Sequence, residues 1–209
     1  MAHHNTVFAQ LLKLVPRHQF ETLAKTHYVG RRFRKTSRWS QFVALVMGQL
    51  SGRHSLRDVV ANAEAQHARW YHLGARRVTR STLARVNEQQ PSAFYEALFG
   101  KLYQRCIPNA PRHRFRFNNP LYSIDSSLID LSLKLFPWGH FALSKAAMKL
   151  HVGLEHRGHL PAFATITDAR TSDIAIGRTL KLPRGSIVVF DKGYDDYSWY
   201  TDLTKPRCT

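Results

Sequence analysis

Between Ile107 and Pro120 the hydrophobic period of this chain changes, and that change divides it into two parts of different architecture. Upstream, apolar residues recur at helical spacing. Leu11, Leu12, Leu14 and Val15 predict a first helix ending at Pro16, and Phe20, Leu23, Ala24 and His27 predict a second. Trp39, Phe42, Val43, Leu45, Val46 and Leu50 form a broad apolar stripe stopped by Gly52. Ser55 and Asp58 have the spacing of a capping box for the next helix, with Val59, Val60 and Ala63 on one face and a short turn at Ser51–His54 before it. Thr79 or Ser81 caps a further helix, from which Arg80, Arg85 and Asn87 are expected to project, and a last helix starts near Pro91 and carries Phe94, Leu98 and Leu102. The dividing segment reads as a linker, because Pro108, Pro111 and Pro120 break helices and Arg112, Arg114 and Arg116 alternate with His113, Phe115 and Phe117.

Downstream the periods are those of strands. Leu121 to Leu131 predicts a strand with a bulge or turn near Ser126 and Ser127. Lys149–Leu154 and Ala162–Thr167 flank a turn at His156–His159, as in a hairpin, and Thr171–Leu180 suits a short helix. Ile187–Phe190 is a continuous apolar run, the pattern of a central strand buried on both faces. The expectation is an α+β chain: an all-helical basic domain over 1–106, a linker over 107–120, and over 121–209 a strand, hairpin, helix and strand in the order that begins an RNase H-like α/β core.

Charge separates the two parts further. The chain carries a net +17, well beyond what solubility needs, and this points to a polyanionic partner. Residues 1–118 hold 20 Lys and Arg against 5 Asp and Glu, whereas 119–209 hold 11 against 9. Short helices in so basic a setting predict a helix-turn-helix-like DNA-binding domain, with Arg76, Arg77, Arg80 and Arg85 as phosphate or base contacts. Membrane attachment is disfavoured: the best apolar run, Phe42–Leu50, is short and includes Gly48 and Gln49, and residues 1–5 have no signal-peptide pattern, so the expected location is cytoplasmic. Cys106 and Cys208 are too far apart in sequence for a paired metal motif, and no glycine-rich phosphate loop occurs. RNA recognition is disfavoured by the lack of aromatic RNP-like or glycine-clamp motifs.

Two acids stand where chemistry would use them. Asp125 interrupts an apolar strand, and Asp191 ends the Ile187–Phe190 run just before Lys192, Gly193 and Tyr194. Carboxylates on adjacent strands converge on a hard cation, Mg²⁺ or Mn²⁺. Turn or cap aspartates are the ordinary alternative for both. Asp130, Asp168 and Asp173 are read as caps or surface acids, and His151, His156 and His159 as strand and surface histidines rather than a metal set. Trp138 and Trp199 suit base stacking less well than burial in a core.

The segments Tyr122-Ser-Ile-Asp125-Ser-Ser, Lys149-Leu-His151-Val-Gly-Leu, Leu160-Pro-Ala-Phe163 with Ile166-Thr-Asp168, and Val188-Val-Phe-Asp191-Lys-Gly-Tyr194 resemble, in order and spacing, the IS4-family insertion-sequence transposases with a DDE site. The N-terminal part resembles the helical domain of unassigned function that precedes the core in one branch of that family, most clearly at Arg80-Ser-Thr-Leu-Ala84 and Asn87. The resemblance implies that Asp125 and Asp191 are the first two catalytic, metal-binding carboxylates, acting with divalent metal on double-stranded DNA at transposon ends and target, with a homodimer as the working assembly. It makes Gly193 the residue that permits the turn and Lys192 a DNA contact.

The family's third carboxylate is a Glu in a downstream Tyr/Arg/Glu/Lys block. Here Glu155 is the last Glu and only 18 residues follow Asp191, among them Asp195, Asp196 and Asp202, which stand too near in sequence to substitute. The expectation is therefore a truncated DDE transposase with weak or absent catalysis of its own. The alternative is a catalytically inactive DNA-binding remnant, or an inhibitor of an intact transposase.

Overall fold

The computed structural model describes residues 6–31, 33–131, 140–142 and 145–204; Trp138 and Cys208 lie outside them. The chain falls into two compact units, Met1–Leu102 and Tyr103–Thr209. Nine α-helices and five strands are found among the described residues.

The first unit is helical: α1 (Val7–Lys13), α2 (Arg17–Thr26), α3 (Arg38–Leu50), α4 (Leu56–Ala65), α5 (His67–Trp70), α6 (Arg80–Gln89) and α7 (Ala93–Cys106), the last running into the second unit. Caps set most of the starts. Thr6 Oγ1 accepts from Ala9 N, so α1 begins before its apolar stripe and leaves Leu14 exposed. Ser37, Ser55 and Thr79 cap α3, α4 and α6 in the same way. At α4 only half of the expected capping box forms. Ser55 Oγ accepts from Asp58 N at 3.1 Å and donates to Asp58 Oδ2 at 2.6 Å, because Asp is one methylene shorter than the Glu that would reach back to the cap N–H. The spacing gave no warning of α5, which buries Trp70 and bonds its indole N–H to Ala63 O at 3.0 Å.

The core of this unit is aromatic at its centre. Phe20 is fully buried, and its ring lies 4.9 Å from Trp39, 5.0 Å from Phe94 and 5.2 Å from Phe42. Residues of α2, α3 and α7 thus converge on one side chain. Helices α3 and α4 approach closely at Gly48, where a Cβ would stand 2.6 Å from Val59 Cγ2.

The second unit is a five-stranded sheet with short helices: β1 (Leu121–Leu131), β2 (His140–Ala142), β3 (Lys145–Glu155), β4 (Leu160–Asp168), α8 (Asp173–Gly177), β5 (Ile187–Phe190) and α9 (Tyr197–Thr204). β3 pairs antiparallel with β1, β4 and the short β2, and β5 pairs parallel with β1. The expected hairpin is present, with Gly158 and His159 both at positive φ in its turn. The expected bulge at Ser126–Ser127 is absent: β1 pairs with β3 without a break from Tyr122 to Leu131. An unbroken partner strand outweighs the weak strand preference of two serines.

A second expectation fails at β5. The strand lies at the sheet edge, and Ile187 and Val189 are 37% and 53% exposed, so the apolar run is covered on one face among the described residues. Apolar content shows that a strand suits burial; the layer over it is a tertiary matter. On the covered face Val188 and Phe190 pack with Ile124, Tyr194 and Trp199, which places Trp199 in the core.

Residues 107–120 are tied to the sheet by specific bonds. Gly158 N donates to Pro111 O at 2.9 Å, Ile187 N to Pro120 O at 2.8 Å, and Asn119 Nδ2 to Gly185 O at 2.8 Å. Phe115 and Phe117 stack on one another at 5.5 Å.

Candidate functional site

The register of β1 and β5 brings the two singled-out aspartates together. Because Ile124 stands opposite Phe190 in a parallel pair, the next residue of each strand, Asp125 and Asp191, leaves the pairing at the same end. Both are exposed. Each commits one oxygen locally: Asp125 Oδ1 accepts from Ser126 N at 2.8 Å, and Asp191 Oδ1 accepts from Gly193 N at 3.0 Å, which caps the 3₁₀ turn Lys192–Tyr194.

A third acid joins this end of the sheet, and the sequence reading took it for a cap or surface residue. Asp173, in the first turn of α8, is largely buried; its Oδ1 lies 3.2 Å from Lys149 Nζ and 3.6 Å from His151 Nδ1. Lys149 Nζ also donates to Thr171 O at 3.0 Å. His151 is fully buried, with Nε2 at 2.9 Å from Thr167 Oγ1. Lys149 and His151 are two apart and so share a face of β3. That spacing was readable beforehand, but their partner on α8 was not.

Asp173 also explains the glycine after Asp191. Gly193 lies outside the left-handed region, so turn conformation does not require it. What requires it is space: a Cβ there would stand 2.8 Å from Asp173 Oδ2 and 3.2 Å from Asp191 Oδ1. Gly193→Ala is expected to push the two carboxylates from their places and to cost about 1–3 kcal/mol, as overpacking does. Urea unfolding checks this, and an unchanged midpoint would show that the turn gives freely.

The charges converge on Tyr194. Its ring is fully buried, and its hydroxyl is pushed up to about 12, first by burial and then by the carboxylates of Asp173, Asp191 and Asp125. Three carboxylates therefore act on one phenol. His151 is shifted the other way: burial lowers its pKa from 6.5, Lys149 lowers it further, and Asp173 only partly offsets them. The folded state thus binds this proton less readily than the unfolded chain does. Its share of stability is complete above about pH 6.5 and is lost as pH falls through that value toward the lower folded pKa. The urea midpoint should drop between about pH 7 and about pH 5, and His151→Gln should drop less. Equal acid sensitivity in both proteins would rule His151 out as the source.

For a metal, the donor chemistry is suitable, since Asp125 and Asp191 follow a paired position of adjacent strands and carry hard carboxylate oxygens. Among the described residues, however, no group of three or more His, Cys, Asp or Glu side chains is arranged to hold a metal ion. Asp125 and Asp191 supply two carboxylates, while Asp173 is ion-paired with Lys149. Asp195 and Asp196 are engaged elsewhere, with Tyr200 Oη at 2.7 Å and Arg178 Nη2 at 2.9 Å respectively.

The structure brings Arg77 and Arg80 to one depression and places Arg76 and Arg85 in others. Arg77 Nε is paired with Glu64 Oε2 at 2.7 Å. Arg80 lines a depression with Arg57, Arg76 one with Arg17 and Lys25, and Arg85 another with Arg31, Arg34 and Lys35. Asn87, expected to project freely, instead accepts a hydrogen bond from Gln41 Nε2. Lys192 is exposed in the turn after Asp191. No described helix is long and apolar enough to cross a membrane.

Comparison with known families gives two matches. Residues 118–209 match the transposase DDE domain, and residues 3–76 match a domain of unknown function, DUF4372. Each match covers less than half of the chain, and with the relatives that follow they support a likeness to DDE-type insertion-sequence transposases. The chain is 34% identical over 125 residues to the putative transposase y4zB of Sinorhizobium fredii, covering 60% of this chain and 34% of that protein. It is 26% identical over 121 residues to the probable transposase for insertion sequence element IS5377 of Geobacillus stearothermophilus, covering 58% of this chain and 32% of that protein. The matched part thus spans about a third of the length of these relatives. No solved structure matches the chain significantly. The DDE domain carries with it the general requirement for a divalent metal.

Proposed function

We propose that this chain forms part of an IS4-like DNA transposase, in which Asp125 and Asp191 are two of the carboxylates that bind Mg²⁺ or Mn²⁺ for phosphoryl transfer on double-stranded DNA. The observation that carries this reading is the parallel register of β1 and β5, in which Asp125 and Asp191 each follow the last paired residue, Ile124 and Phe190. The antiparallel strands followed by α8 and a strand returning parallel to β1 support an RNase H-like core. A divalent metal bound there supplies activation of the attacking oxygen and stabilisation of the leaving oxygen in an in-line displacement.

The residues around the pair have separate work. The Gly193 N–H and Ser126 N–H each hold one carboxylate oxygen, which fixes the rotamers and leaves the second oxygen for the metal. Asp173, ion-paired with Lys149, stands against the Gly193 turn. The basic helical unit supplies attraction for DNA, and Lys192 adds a cation beside the second carboxylate. Mn²⁺ titration calorimetry tests the reading. Binding by the unaltered chain that disappears in both Asp125→Ala and Asp191→Ala supports a shared pocket, and binding that survives in either variant overturns it.

A further inference from the structure

In the helical unit, the segment between α2 and α3 lies between two depressions with a strong excess of positive charge. The first, of about 830 Å³, has Arg17, Glu21, Lys25, Arg38 and Arg76 as its charged lining. Glu21 is spent on Arg17 at 2.8 Å, so Lys25, Arg38 and Arg76 face it without a lining carboxylate to neutralise them. The second, of about 600 Å³, is lined by Arg31, Arg34, Lys35 and Arg85 and by no acid. Phe33 and Thr36 line both.

The floor of the first depression carries a further sign of an anion. Arg38 is only 5% exposed, and its guanidinium stands 4.5 Å from the Phe94 ring centroid. Nη1 donates to Gln41 Oε1 at 2.6 Å, but Nη2 has no hydrogen-bond partner among the described residues, and neither does the buried Thr36 Oγ1. Burying a cation without a counter-charge is costly, and a buried donor left unpaired adds to that cost. Arg38 is also the first residue of α3, a helix of 13 residues, whose N-terminal N–H groups add positive potential. The Gln41 bond to Asn87 on α6 holds this floor in place.

We propose that these two depressions form a phosphodiester track for duplex DNA, one backbone phosphate settling over Arg38 and Thr36 and further phosphates against Arg31, Arg34, Lys35 and Arg85. A nucleic-acid backbone fits two such depressions better than a free anion does, because it offers negative charge at regular intervals to both. The inference rests on the reading of this chain as a protein that acts on DNA. Of the four arginines named from the sequence it keeps Arg76 and Arg85 and leaves out Arg77 and Arg80, and it adds the 31–38 segment, which the sequence expectation passed over.

The test is fluorescence anisotropy of a short labelled duplex with the full chain across a range of NaCl concentrations. Lys25→Gln with Arg76→Gln alters the first depression, Arg34→Gln with Lys35→Gln alters the second, and Arg53→Gln with Arg69→Gln removes the same charge elsewhere. All six positions are exposed, so folding is expected to persist, and thermal melting checks it. Each site pair should lower the slope of log affinity against log salt by about 0.9 for every phosphate it no longer neutralises, and the Arg53/Arg69 pair should leave the slope as in the unaltered chain. Site pairs that match the Arg53/Arg69 pair overturn the track while leaving DNA as the partner. An unaltered chain that binds no duplex overturns both the track and DNA recognition by this unit, a result separate from the Mn²⁺ titration. Calorimetry with inorganic phosphate covers the remaining source: binding lost in the site pairs while duplex affinity stays whole would assign the depressions to free phosphate and overturn the track.

Discussion

Asp191→Asn is expected to weaken Mn²⁺ binding by about 100-fold or more, the upper end of what loss of an outer-shell partner does, while the chain stays folded. The argument rests on what asparagine keeps. Asp191 Oδ1 accepts from Gly193 N to cap the turn, and an asparagine oxygen can accept the same bond. Size, cap and turn survive, and what is removed is the charge and the second hard oxygen, the two properties a divalent cation needs. Asp125→Asn should behave alike, since its oxygen accepts from Ser126 N in the same manner. Calorimetry at one pH, with circular dichroism as the check on folding, measures both. Unchanged Mn²⁺ affinity in a folded Asp191→Asn chain would mean that Asp191 is a turn cap and nothing more, which is the ordinary alternative for an aspartate two residues before a glycine.

Phe20→Ala should cost the helical unit about 3–5 kcal/mol, the range for truncating a large aromatic in a packed core. Phe20 has no exposed surface and touches three other rings at edge-on or tilted angles. Its removal leaves a void among residues of α2, α3 and α7, whose positions are fixed by other packing, so collapse into the space is limited. Against a total domain stability of about 5–15 kcal/mol, such a loss is a large part of the whole. Urea unfolding followed by tryptophan emission reads it, since Trp39 packs on this ring. A loss below about 1 kcal/mol would show that the cluster repacks, contrary to a core held from several helices. Because the Arg38 floor also lies on Phe94, duplex binding should fall together with stability in this variant, which is why the exposed pairs are the better test of the phosphate track.

Helices α4 and α6 were legible because two local signals agreed: apolar spacing at helical period, and a Ser or Thr placed to accept the first free N–H groups. α1 shows what happens when they disagree. Thr6 starts the helix, the stripe runs past its end, and Leu14 is left in solvent. α5 had no cap bond and too short a pattern to be read. In the sheet, period and turn residues gave the hairpin, but the smooth course of β1 through Ser126 and Ser127 was decided by the strand paired to it.

The candidate carboxylates divide along the same line. Asp125 and Asp191 stand out in a one-dimensional reading because each breaks or ends an apolar run, and the motif around Asp191 carries the family resemblance. Asp173 has no such mark. Its neighbours Lys149 and His151 are more than twenty residues away in sequence, and its approach to Gly193 depends on α8 packing against the Lys192–Tyr194 turn.

By itself the sequence determined what local forces decide: most of the helices and strands, where the basic and mixed halves divide, and which two aspartates interrupt or end an apolar strand. The tertiary structure decided which charges face one another. It placed β5 at an edge with one face exposed, gave Arg77 to Glu64, and buried Arg38 without a carboxylate. The physical reason is range. Period, caps and turns act within a few residues, whereas Coulomb attraction, desolvation and packing depend on distance in space, which sequence separation does not encode.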